Sequence, residues 1–110
     1  MTIHQGLADG RWHTLTLAEQ LANAGADVAR AIRAKEAGNE SRFDAALERA
    51  LELLDLTKSD PRWAGPRVRE IARVREVVCD FLAGDNVYGS TAGSLEGYFM
   101  AFAASARRDR

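Results

Sequence analysis

A chain of 110 residues with 46% apolar and 28% charged content is the size of one domain with one core, and it has no apolar run long enough for a membrane span. Its net charge of −1 argues against a protein whose main work is unspecific adhesion to nucleic acid. The single cysteine, Cys79, excludes an internal disulfide, and the segment MTIHQGLADGRW lacks the basic start and apolar stretch of a secretory signal, so the expected location is the cytoplasm.

Residues 1–12 carry no periodic pattern and read as a loose end. Thr16-Leu17-Ala18-Glu19 is a capping box, which starts a helix whose apolar positions Leu17, Leu21, Ala24, Val28 and Ile32 recur at helical spacing until Gly38-Asn39 supplies a left-handed stop. This predicts a first helix over 17–37. Gly25 is its weak point, costing about 1 kcal/mol against alanine, and a close helix contact would account for it.

Asn39 or Ser41 caps a second helix over 42–58 with Phe43, Leu47, Ala50 and Leu54 as its stripe. Pro61 to Pro66 is a turn-rich connection in which Trp63 is expected to plug the bundle end, and Pro66 suits the first position of a third helix over 66–83. Gly84 to Thr91 breaks the chain again, with Tyr88 expected to fold over the bundle end. Thr91 then caps a last helix over 92–107 with Leu95, Phe99, Phe102 and Ala106 facing inward, and residues 107–110 form a frayed tail. No segment shows the two-residue period of a strand. Four helices with short connections predict an all-α, antiparallel four-helix bundle.

Two helices have more apolar surface than one neighbour covers. Leu53 and Leu56 widen the second helix's arc, and Val77 and Phe81 widen the third's, which makes these four residues the candidate interface of a homo-oligomer. Such a self-associating interaction or scaffold module is the favoured functional reading.

Arg75 lies about 40° from Ile71 on the third helix, among its apolar residues, and needs an anion there. Asp27, about 80° from Leu17 and at the border of the first helix's stripe, is the first choice of partner; Asp55 is less well placed, at about 120° from Phe43. The pair is either a buried ion pair or a site for a small anionic ligand. Residues 40–60 hold six acids against three bases, whereas residues 62–76 hold five arginines against two acids. Facing helices of opposite charge explain this. The alternative is a nucleic-acid-associated accessory protein that contacts phosphates through Arg62, Arg67, Arg69 and Arg73. In the loop, Asp85, Asn86 and Tyr88 are candidate functional residues, although turn chemistry also accounts for the first two.

Catalytic signatures are missing. There is no glycine-rich phosphate loop and no Ser/Cys–His pairing with context, and the only histidines, His4 and His13, precede the first helix, outside any Glu-x-x-His metal spacing. His13 reads as an end-of-bundle packing residue. No enzymatic activity, metal or cofactor is expected.

The stretches GRWHTLTLAEQLANAG, GNESRFDAALERALELLDLTKSDPRW and REIARVREVVCDFLAGDNVYGS resemble a family of small all-helical bacterial and archaeal proteins. The resemblance implies the fold and carries no activity, cofactor or site residue with it.

Overall fold

Local chemistry starts each helix where the sequence requires. The Thr16 hydroxyl accepts from the Glu19 amide at 3.1 Å while the Glu19 carboxylate accepts from the Thr16 amide at 2.9 Å, and α1 runs Leu17–Glu36. Gly38 takes a left-handed φ of 71°. The amides of Gly38 and Asn39 close back on the carbonyls of Lys35 and Ala34, and these two bonds satisfy the exposed end of α1. Asn39 then serves the next helix: its side chain accepts from the Arg42 amide at 3.1 Å, so α2 spans Glu40–Lys58, and Ser41 donates to the Asn39 side chain instead of capping. Pro66 opens α3 over Pro66–Ala83, and a reciprocal pair of bonds between Thr91 and Ser94 opens α4 over Ala92–Arg108.

The structure, a computed structural model, describes residues 10–108; residues 1–9 and 109–110 lie outside it. It is a four-helix bundle measuring 36 × 30 × 25 Å, with no strand among the described residues and no helix there long and apolar enough to cross a membrane. α1 is central, packed along α2 on one side and α4 on the other. α3 packs on α2 and only lightly on α1, and its approach to α4 is looser still. Ala24, Ala31, Ala46 and Ala50 are fully buried, and these small side chains let α1 and α2 approach closely. Leu21, Val28, Ile32, Leu53, Leu54, Val78, Leu82 and Phe99 fill the core.

Gly25 has the close contact anticipated for it. A methyl group at that position would lie 2.4 Å from Cβ of Phe99, so α4 crosses α1 where α1 has no side chain.

The expectation of a loose stretch over 1–12 fails at Trp12. This residue sits in a 3₁₀ turn, Trp12–Thr14, is 1% exposed and belongs to the core. The turn precedes the capping box by one residue, which folds the indole under α1, and burying so large a ring offsets the entropy of ordering the turn. Residues 1–9 of that stretch, with His4, and 109–110 of the expected tail fall outside the described residues; Arg107 and Arg108 are the last residues of α4.

Candidate anion-binding groove

Arg75 does find a carboxylate, but a different one. Its Nε donates to Asp55 at 2.7 Å, and side-chain exposures of 35% and 56% put the pair at the surface of the α2–α3 contact. The expected partner Asp27 is turned to the other side of α2. The helical wheel sets Arg75 among apolar residues but does not say which helix lies opposite; that helix is α2, and the pair is at the surface rather than buried. The hydrogen bond from Arg75 to Asp55 and their charges raise the arginine's pKa against a smaller opposing effect of burial. Exposed pairs of this kind contribute roughly 0.2–1 kcal/mol. Arg75→Met is therefore expected to lower stability by less than about 1 kcal/mol in urea unfolding, rather than the 3–5 kcal/mol of a stranded buried charge.

Asp27 is 4% exposed and is held by two arginines instead. Its Oδ1 accepts from Nη1 of Arg30, one turn ahead on α1, at 2.8 Å, and from Nε of Arg49 on α2 at 3.4 Å. Both arginines line a groove of about 610 Å³ between α1 and α2. Arg30, Arg33, Ala34 and Ala37 form one wall, and Arg42, Ala45, Ala46 and Arg49 the other, with Asn39 and Ser41 at the hairpin end. The small side chains of Ala34, Ala37, Ala45 and Ala46 leave the space open, and four guanidinium-bearing stems border it. No acid is among the lining residues. Arg33 and Arg42 are exposed and have no side-chain hydrogen bond or ion pair among the described residues. Guanidinium groups stay charged at any physiological pH and match phosphate oxygens two at a time, so this geometry suits an oxyanion.

The arginines expected to contact nucleic acid do not form such a site. Arg62 is committed to structure: it donates to both oxygens of Asp60, at 2.7 Å to Oδ2, and to the Leu15 carbonyl at 2.6 Å, with its guanidinium 4.5 Å over the Trp63 ring. Arg67 lies 5.9 Å from the centre of the same ring, whereas Arg69 and Arg73 are exposed on α3. Below Arg62 lies a polar network absent from the sequence reading. The Gln20 amide donates to the Trp12 carbonyl and to Asp60, both at 2.9 Å, and accepts from the Trp63 indole at 2.8 Å; Thr57 accepts from the Trp12 indole at 3.2 Å. Trp63 thus closes this end as expected. His13 is half-buried on the same turn.

Among the expected interface residues, Leu53 is a correction. It is 2% exposed and part of the monomer's core, because the wide arc of α2 is covered by α1 and α3 together. Leu56 and Phe81 pack on the core edge half-buried, and Val77 lines a groove of about 370 Å³ between α3 and α4. In the loop, Asn86 has a φ of 53° and exchanges two hydrogen bonds with Ser90, while Asp85 is exposed. The residue that organises this loop is Asp80, whose carboxylate accepts from the amides of Val87 and Tyr88 at 2.8 and 3.1 Å. Tyr88 does not cover the bundle end: it is 52% exposed, and its hydroxyl donates to Glu76 on the flank of α3, which raises the phenol's pKa. Cys79 is half-buried, and no group of three His, Cys, Asp or Glu residues that could hold a metal ion occurs among the described residues.

Set against protein-family models, curated proteins and solved structures, the chain matches none.

Proposed function

We propose that this chain is a non-catalytic binding module of the cytoplasm whose α1–α2 groove holds a phosphate-bearing anion. One observation carries the reading: two arginines from each helix border a single groove with no lining acid, two of them fixed by buried Asp27 and two left without a partner among the described residues. The near-neutral net charge is no obstacle, because a local cluster of one sign attracts its ligand over about a Debye length whatever the total.

The test is binding of inorganic pyrophosphate, followed by calorimetry, and of a labelled single-stranded oligonucleotide, followed by anisotropy, each at 50 and 200 mM salt. The double variant Arg33→Ala, Arg42→Ala keeps both Asp27 pairs and is expected to fold as the parent does. It should weaken binding of whichever probe binds by at least tenfold, about 1.4 kcal/mol, and parent binding should fall with salt. Absence of binding by both probes, or equal binding by the variant, would overturn the reading.

Self-association is a second reading, supported by the open α3–α4 groove with Val77 in its wall and by Val87, 82% exposed, on the adjoining loop. Light scattering on the purified protein tests it, a monomer at high concentration being the contrary result.

A further inference from the structure

Resting on the reading of the α1–α2 groove as an anion site, we infer that its ligand is a short linear oligophosphate, either free or as the phosphate tail of a nucleotide, and that it is not a nucleic-acid strand. The groove is short: from Arg30 to Ala37 the α1 wall extends about 10 Å at the helical rise of 1.5 Å per residue. Within that length stand four guanidinium groups, and buried Asp27 offsets one of their charges. The balance matches a compact ligand with several negative charges better than one phosphodiester per nucleotide.

The lining has no means of reading or stacking a base. It consists of arginines, alanines, Asn39 and Ser41, without an aromatic ring, whereas sites for single strands combine a basic track with aromatic platforms. The basic track also stops at the groove. Glu36 and Glu40 flank the hairpin end, and Asp44 and Glu48 precede the lining residues Ala45 and Arg49; all four are exposed.

The deciding experiment is calorimetric titration of the full chain, free of divalent cations, with orthophosphate, inorganic tripolyphosphate, ATP, adenosine and a twelve-nucleotide single strand. Expected are one tripolyphosphate per chain, affinity at least tenfold above orthophosphate, no binding of adenosine, and loss of at least tenfold in the Arg33→Ala, Arg42→Ala variant. ATP binding equal to tripolyphosphate would identify the free phosphate chain as sufficient, and tighter ATP binding would identify a nucleotide as the source; both support the inference. Tighter binding of the oligonucleotide than of tripolyphosphate would overturn it while leaving the anion-binding reading intact. Binding of none of the phosphates would overturn both.

Discussion

Asp60→Ala is expected to lower the stability of the fold by about 3 kcal/mol, read as a shift of the urea midpoint at unchanged slope. Asp60 is 1% exposed and ties the α2–α3 connection to α1: it accepts from Gln20 of α1, from the backbone amide of Arg62 and from the Arg62 guanidinium. Removing it leaves one Gln20 bond unmade and frees Arg62, which also carries the bond to the Leu15 carbonyl. Because the Arg62 side chain is 39% exposed, its stranded charge is partly hydrated, and the estimate stays at the low end of the range for broken buried pairs.

The same contacts set a pH dependence. Hydrogen bonding from the Arg62 side chain holds the Asp60 carboxyl well below its ordinary value; burial opposes this, and the Arg62 amide and Gln20 add to it. A folded-state pKa below the unfolded one of about 3.9 means that the contribution is fully present at neutral pH. It begins to disappear near pH 4 and falls further as acid approaches the folded value. Asp60→Asn lacks this ionisation, so the stability gap between parent and variant should narrow between pH 4 and pH 2. A gap constant over that interval would show that the Asp60 charge contributes nothing.

The helices were legible because their boundaries depend on residues close in sequence. The Thr16–Glu19 capping box, the Gly38-Asn39 stop and Pro66 act within a turn of the chain, and each marks the boundary it predicts. What failed needs knowledge of the helix opposite. Asp27, placed at the border of the apolar stripe, is buried, but its partners Arg30 and Arg49 are not singled out by the sequence pattern, because they depend on the hairpin bringing α1 against α2. A signal was nevertheless present: an antiparallel hairpin centred on Gly38 brings together residues equally far from it, and Asp27 and Arg49 are each eleven positions away. The buried polar network also had a trace in the sequence. Gln20 lies about 60° from Leu17, and Thr57 about 40° from Phe43, so both interrupt an apolar face where a polar side chain needs an internal partner. Asp60 and Trp12 were illegible for another reason, since they lie outside the helices, where periodicity says nothing about burial.

Gly25→Val is expected to destabilise by about 3 kcal/mol, at the upper end for overpacking, although it replaces the poorest non-proline helix former with a better one. The first added carbon would already meet Phe99 Cβ at 2.4 Å, and Cγ and Cδ1 of that ring lie at 2.6 and 2.9 Å, so the branched side chain has no space unless α4 moves. Phe99 is 4% exposed, and drawing it away from α1 would return apolar surface to water at about 25 cal/mol per Å². Gly97→Ala provides the opposite sign in the same helix pair. No atom lies within 4 Å of a Cβ at that position, so the substitution is expected to stabilise α4 by up to about 1 kcal/mol. The consequence for Gly25→Val is local before it is global. Because α4 packs chiefly on α1, its remaining ties, such as the 3.1 Å bond from Tyr98 to Glu70 of α3, are too few to keep it docked. Hydrogen exchange should then show protection lost across Ala92–Arg108 at conditions where α1 and α2 still resist exchange. Uniform loss over all four helices would mean instead that α4 is an inseparable part of the core. In that case Gly25, as well as admitting Phe99, would be a condition for folding at all.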